Sequence, residues 1–289
     1  MATQSGTPGF PGKQFQVAGH QLHLVHAPND RLDAVLRLIA VAEKSIQMFF
    51  YMFADDSVGR DVRTALVEAA NRGVQVQLII DSFGSAAISD RFFDELTDAG
   101  GRYHCFSTRK GLGYIIRNHQ KILIADGTHA LVGGFNITDQ YFGRAGDDDW
   151  EDLGIVITGP EVPRLARYFD EMASASVDGK VRYLKIRSII RQWRPGIGEV
   201  QWLLGGPTNR ISPWALTFKR SLQVGKRFDI ASAYFSPSQT ILRRLAKVSK
   251  RNKGSRLVLA GKTDNGATIP AARLLYRYLL RRRTKIYEF

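Results

Sequence analysis

Short apolar runs bounded by turn residues occupy 22–25, 45–53, 74–81 and 102–106, and this pattern predicts strands. Between them, apolar residues recur at steps of three and four over 28–43, 58–71 and 90–99, the period of a helix with one buried face. A hairpin follows: Ile122-Leu123-Ile124-Ala125 is apolar, Asp126-Gly127 is a turn signal, and Ala130-Leu131-Val132 resumes the apolar run. A further strand is predicted at 153–158, and Gly159-Pro160 opens a helix running to about 175. Strands alternating with helices predict an α/β fold with a sheet covered by helices.

The pattern then begins again. The run 200–204 with Gly205-Gly206-Pro207 parallels 22–25 with Ala27-Pro28, and 228–235 parallels 45–53. Likewise 256–260 parallels 74–81, 271–283 parallels 90–99, and 285–289 parallels 102–106, at an offset of about 180 residues. The expected organisation is a flexible leader at 1–19, a first repeat at 20–178, a basic linker helix at 179–198 and an incomplete second repeat at 199–289. The counterpart of the hairpin would fall near position 300, so the 289 residues hold one copy of it.

Charge divides along the same line. Residues 1–160 hold 14 Lys and Arg against 19 Asp and Glu, whereas 161–289 hold 27 against 8. A half this basic predicts a polyanionic partner, an anionic membrane or a nucleic acid. The stretch 180–194 mixes Arg182, Lys185, Arg187, Arg191 and Arg194 with Leu184, Ile186, Ile189, Ile190 and Trp193. That composition suits an interfacial amphipathic helix or, equally, a basic-faced helix packed on its own domain. No run approaches the length of a membrane-spanning helix, and 1–19 has no apolar core of a secretory signal.

The single cysteine, Cys105, excludes an intrachain disulfide and argues against a structural zinc site. His20, His23 and His26 lie three apart on an apparent strand, which places successive imidazoles on opposite faces and favours a non-metal role.

Chemistry concentrates in the hairpin. The run 119–136 reads HQKILIADGTHALVGGFN, with the spacing H-x-K-x4-D-x6-G-G-x-N. Six fixed positions make a chance match at a given start on the order of one in 10^7. Strand alternation points His119 and Lys121 the same way. A neutral imidazole is a good nucleophile for phosphorus, and an adjacent ammonium neutralises the non-bridging phosphate oxygens. Gly133 and Gly134 remove side chains where a ligand or a neighbouring strand comes close, and Asn136 offers an amide N–H2 to a phosphate oxygen. Asp126 opens the turn, which argues for bonding backbone rather than touching substrate. A nucleophilic His needs its other ring nitrogen held, and the acidic run Asp147-Asp148-Asp149-Trp150-Glu151-Asp152 precedes the strand at 153. Asp147 and Asp148 read as a solvated loop. These groups supply nucleophile and charge neutralisation without a metal or other cofactor.

The motif resembles that of the phospholipase D superfamily, whose members cleave and transfer phosphodiesters through a phosphohistidine. Within it the chain is most similar to bacterial cardiolipin synthases without transmembrane helices, over about 20–289. The likeness is carried by Tyr51-Met52-Phe53-Ala54-Asp55-Asp56, Ala69-Ala70-Asn71-Arg72-Gly73-Val74, Arg117-Asn118-His119-Gln120-Lys121, Gly133-Gly134-Phe135-Asn136-Ile137 with Tyr141-Phe142-Gly143, Trp150-Glu151-Asp152, Gly159-Pro160 and the late Tyr287-Glu288-Phe289. The resemblance implies a phospholipase D-like α/β/α sandwich with a two-fold internal repeat whose second copy is truncated. It implies a catalytic set of His119, Lys121, Asp126, Asn136 and Asp152, with Glu151 as the runner-up carboxylate, Gly133 and Gly134 at the substrate, and no metal. The implied reaction transfers a phosphatidyl group between phospholipids; a nuclease, or a non-catalytic fragment binding anionic lipid, is the alternative. Partners follow: an anionic phospholipid and its membrane surface, and a second-motif half or a second copy in a homodimer, with nucleic acid less favoured. The implied location is cytoplasmic, at the inner face of the cell membrane. With one motif, the 289 residues alone are expected to be nearly inactive.

Overall fold

The computed structural model describes residues 9–106, 118–146, 149–177, 180–206, 212–262 and 268–289. Arg117, Asp147, Asp148 and Pro207 lie outside the described residues. The chain divides into two compact units, Met1–Trp202 and Leu203–Phe289.

In the first unit the predicted alternation is realised. In chain order the elements are β1 (Lys13–Val17), β2 (His20–Val25), α1 (Pro28–Val41), β3 (Ser45–Phe50), α2 (Ser57–Asn71) and β4 (Gln75–Asp81). They continue with a 3-10 turn (Asp90–Phe93), α3 (Asp94–Asp98), β5 (Arg102–Phe106), β6 (Lys121–Ala125), β7 (His129–Gly133), β8 (Gly154–Thr158) and α4 (Val162–Ser174). The ribbon β9 (Ser176–Val177) and β10 (Lys180–Val181) leads into α5 (Tyr183–Gln192). Eight strands form one sheet in the order β1-β2-β8-β7-β6-β3-β4-β5. Strands β3, β4 and β5 are parallel, as helical crossovers require, and β6 joins β3 antiparallel.

Side-chain alternation gives the sheet two buried faces. Ile46, Met48 and Phe50, Val76, Leu78 and Ile80, and Leu123 and Ala125 enter one core with Ala34, Val35, Leu38 and Ile39 of α1 and Val62 and Leu66 of α2. The alternate residues Phe49, Ile79, Ile122 and Ile124 are equally buried on the other face. That face carries α4, which buries Leu165, Tyr168, Phe169 and Met172. A sheet covered on both faces explains why its central strands read as unbroken apolar runs.

Two expectations change, and a third is narrowed. Residues 13–17 are not a flexible leader: β1 pairs antiparallel with β2 along its whole length, and Phe10 is buried against the rings of His23 and His129. Its polar composition suits an edge strand exposed on most positions. Of the two readings open for the basic stretch, the packed helix is the one the burial supports, since α5 (Tyr183–Gln192) buries Ile186, Ile189 and Ile190. The run 200–204 is not a strand. Trp202 N donates to the Pro195 carbonyl, and the Trp202 carbonyl accepts from the Trp193 indole at 2.8 Å, so its polar groups are spent off any ladder.

The second unit, described on its own, holds α6 (Pro213–Val224), β11 (Asp229–Ser232), α7 (Gln239–Arg251), β12 (Arg256–Leu259), α8 (Thr268–Leu280) and β13 (Lys285–Glu288). Its strands are parallel in the order β11-β12-β13. The succession repeats that of α1-β3-α2-β4-α3-β5. Its core is small, built on Leu222, Phe228, Leu245, Val248, Leu257, Leu259 and Leu279.

Candidate active site

The site lies where the first residues of β6 meet the last of β3 and β4. Lys121 opens β6 and pairs with Phe50, which ends β3. The backbone then needs His119 to be presented just ahead of the strand. Asp81, the last residue of β4, does this: its Oδ2 accepts from Asn118 N at 3.0 Å while Oδ1 accepts from Phe83 N at 2.9 Å. Asn118 in turn accepts from Gln120 N, and the Gln120 amide donates to Tyr168 Oη at 2.6 Å. Burial, against the Gln120 hydrogen bond and with the charge of Glu171 adding to it, pushes the Tyr168 phenol up to about 12, so it keeps its proton and anchors the segment as a neutral group.

His119 reaches solvent, whereas Lys121 is only 3% exposed. The Lys121 ammonium lies 3.0 Å from His119 Nδ1 and donates to the His119 carbonyl oxygen at 3.0 Å. The Tyr51 ring flanks both, with its centroid 4.3 Å from the imidazole and 5.3 Å from Lys121 Nζ. Surrounding protein, and then the charge of Lys121, hold His119 below the ordinary imidazole value, so the ring is neutral at pH 7. Burial pulls Lys121 down to about 8, with the charge of Asp152 opposing that shift. At neutral pH the ammonium form still prevails. The site therefore pairs an uncharged imidazole with a cation, the combination that attack on a phosphate anion requires.

Asp152 precedes β8, and its carboxylate accepts from Leu153 N at 2.6 Å. Burial raises its pKa, against the hydrogen bond from Leu153 N and the charges of Arg31 and Lys121. Among the described residues the His119 ring meets Lys121 and Tyr51, and no hydrogen bond joins it to Asp152. Glu151 is exposed, and Asp149 accepts from Ala145 N at 2.9 Å.

The remaining motif residues divide into neighbours and supports. Asn136 is 3% exposed; its Oδ1 accepts from Met52 N at 3.2 Å and its Nδ2 donates to Tyr141 Oη at 3.0 Å. It thus ties the loop after β3 to the loop after β7, as do the backbone bonds Ala54 N to Ile137 O and Ile137 N to Met52 O. The two glycines leave room for neighbouring protein groups. A Cβ on Gly133 would lie 2.8 Å from the Phe135 ring, and one on Gly134 would collide with the Asp152 carboxylate. Asp126 stands at the opposite end of β6 and takes no part in the site. Its carboxylate accepts from Glu43 N at 3.0 Å, Lys44 N at 2.7 Å and Ser45 N at 2.8 Å. These are the backbone bonds expected of a residue that opens this turn.

Sequence reasoning missed Arg31. It is fully buried in α1, and its guanidinium donates to the carbonyls of Asp152 at 2.8 Å and Trp150 at 3.1 Å. The signal was present: Arg31 occupies the apolar stripe that continues with Ala34, Val35, Leu38 and Ile39. A cation in such a stripe must answer buried acceptors. Asp81 was missed because an aspartate ending an apolar run reads as a turn residue. Among the described residues no cluster of His, Cys, Asp and Glu could hold a metal ion. His20 illustrates why: its Nδ1 faces the Ala18 carbonyl and its Nε2 accepts from Glu161 N.

Residues 35–173 match the family model described as "Cardiolipin synthase, PLD-like domain". Cardiolipin synthase B of Salmonella typhimurium LT2 is 27% identical over 277 residues, 94% of this chain and 67% of that protein. Cardiolipin synthase A of Pseudomonas fluorescens Pf-5 is 26% identical over 288 residues, 96% of this chain and 58% of that protein. Among solved structures, phosphatidylserine synthase of Haemophilus influenzae Rd KW20 superposes with a TM-score of 0.62 at 16% identity, covering 93% of this chain and 69% of that one. At that identity the likeness concerns the fold.

Proposed function

We propose that the protein is a phosphatidyltransferase of the cardiolipin synthase type, working through a phosphohistidine on His119, a reading supported by the match of residues 35–173 to a PLD-like domain model. The observation that carries this reading is the pairing of a neutral, solvent-reaching imidazole with a buried ammonium 3.0 Å away. An arriving phosphodiester competes for the Lys121 cation, which moves from the ring to a non-bridging oxygen and frees a ring lone pair. The ring nitrogen bonds to phosphorus as the bond to the departing glycerol oxygen breaks, and that oxygen takes up a proton. The hydroxyl of a second lipid then attacks the phosphohistidine, gives up its proton and regenerates the imidazole. Asn136 lends an amide N–H to the phosphate, and Asp152 steadies the imidazole once Lys121 has left it.

Both half-reactions need an acid/base group opposite His119. One His-x-Lys-x4-Asp run occurs in the 289 residues, and the opposing group comes from a second such element, in a longer chain or in a second copy. No helix among the described residues is long and apolar enough to cross a membrane. A reaction between phospholipids places the site at a bilayer surface, and we assign it to the cytoplasmic face. The test incubates the protein with phosphatidylglycerol vesicles, alone and with a fragment carrying a second motif. Cardiolipin and free glycerol in equal amounts, with a phosphate-labelled intermediate absent from His119→Ala, support the reading. Label retained by His119→Ala, or cleavage of single-stranded DNA without lipid transfer, overturns it.

A further inference from the structure

The second unit carries a basic cavity that the chemistry at His119 does not use. Residues 203–289 hold 19 Lys and Arg against three acidic residues. Four of the cations, Arg243, Arg244, Lys247 and Arg251, line one cavity of about 390 Å³ with Thr240, Gln223 and Leu222. All but Gln223 and Leu222 come from one face of α7, since positions 240, 243, 244, 247 and 251 recur at helical spacing. Helix α7 has no acidic residue, and Arg243, Lys247 and Arg251 follow one another four apart. Like charges at that spacing destabilise a helix by a few tenths of a kcal/mol per pair.

Among the described residues no acidic partner relieves this repulsion. The two described acidic residues of the unit are engaged elsewhere: Asp229 pairs with Arg227 and Arg256, and Glu288 with Arg273. The guanidiniums are instead held in place by neutral acceptors. Arg251 donates to the Gln223 carbonyl at 3.2 Å, and the Arg244 nitrogens lie 2.9 and 3.3 Å from the Gln223 side-chain amide, whose oxygen accepts. Oriented donors, a hydroxyl, an apolar floor at the buried Leu222 and no carboxylate in the lining make a receptor for a compact anion.

We infer that the cavity between α6 and α7 is a phosphate-binding site, separate from the catalytic one, that takes the phosphate group of a small phosphoryl ester. The same chemistry is presented by an anionic lipid headgroup and by free phosphate. A nucleic acid strand is disfavoured, since among the described residues the lining holds no aromatic side chain on which bases stack. The inference does not depend on the reaction assigned to His119.

The test compares the full chain with Arg243→Gln/Lys247→Gln and with a control, Lys226→Gln/Lys253→Gln, which removes equal charge from exposed positions outside the cavity. Binding is measured to phosphatidylcholine vesicles with and without phosphatidylglycerol, and to inorganic phosphate by calorimetry. The cavity variant is expected to lose at least about tenfold in affinity for the anionic vesicles, and the control to stay within about threefold. Saturable phosphate binding that disappears in the cavity variant shows that the free anion suffices; binding to anionic vesicles alone assigns the site to a headgroup at a surface. Equal losses in the two variants, or no binding of either probe, overturn the proposal. The cavity variant leaves His119 and Lys121 in place, and transfer by the unaltered chain is assayed separately, so failure here leaves the proposed reaction standing.

Discussion

The two ends of β6 carry the same motif and use it in opposite ways. At the Lys121 end a cation is buried with an imidazole for company, an arrangement that costs stability and produces reactivity. At the Asp126 end a carboxylate collects three backbone N–H groups from 43–45, the turn into β3, an arrangement that produces stability and no chemistry. The four residues between Lys121 and Asp126 are one strand, so the spacing x4 records the width of the sheet at this point. A motif residue can therefore be required for where it fastens the frame.

Substitutions at the two ends separate these roles. The largest effect belongs to His119→Ala, which should lower turnover by about 10^2–10^4 or more while the melting temperature stays put. Unchanged turnover would remove His119 from the reaction. Next is Lys121→Met, with a loss of about 10^2–10^3 in turnover. Because its pKa in the folded chain falls to about 8 from 10.5, Lys121 opposes folding at neutral pH, and this substitution should raise stability. A variant both inactive and less stable would mean that Lys121 is structural.

Asp126→Ala should show the reverse: a loss of about 2–4 kcal/mol in unfolding free energy with turnover per folded molecule unchanged. Its folded pKa lies below the ordinary 3.8, with the three backbone hydrogen bonds as the cause that lowers it against burial. The stability it contributes is thus complete at neutral pH and is lost as pH falls below about 3.8. A kcat defect in well-folded Asp126→Ala would return this residue to the catalytic set. The pH profile sharpens the other end. Activity should fall about tenfold per unit above pH 8 as Lys121 loses its proton, and should fall on the acid side only below 6.5, since His119 is held under that value. A rate that stays flat to high pH would show that the charge of Lys121 is not used. The smallest effect is Asp126→Asn. It keeps a residue tolerant of the turn's positive φ of 53° and should cost about 1 kcal/mol less than Asp126→Ala.

Several features were legible along the chain because they depend on local pattern. Helical and strand periods placed α1, β3, α2, β4, β5 and the hairpin, since each element buries a face whose spacing is written in consecutive residues. The juxtaposition of His119 with Lys121 was expected from strand alternation, although His119 stands just ahead of β6, and the backbone bonds of Asp126 were expected from its place at a turn. The restart of the pattern announced the parallel strands β11, β12 and β13.

What tertiary structure decided are the matters settled by residues far apart in sequence. Where the loop before β8 carries Asp152 depends on Arg31, 121 residues away, which bonds the carbonyls of Asp152 and Trp150. Whether Gly134 serves a ligand or a protein group depends on the Asp152 carboxylate lying against it. The apolar face of α5 could have met lipid or its own unit with the same sequence of residues, and burial of Ile186, Ile189 and Ile190 chose the latter. The run 200–204 had the composition of a strand but no neighbour to pair with, and hydrogen bonds to Trp193 and Pro195 took its backbone instead. Periodicity states which face of an element seeks cover; only the packed chain states what covers it, because the covering atoms are set by the positions of all the other elements at once.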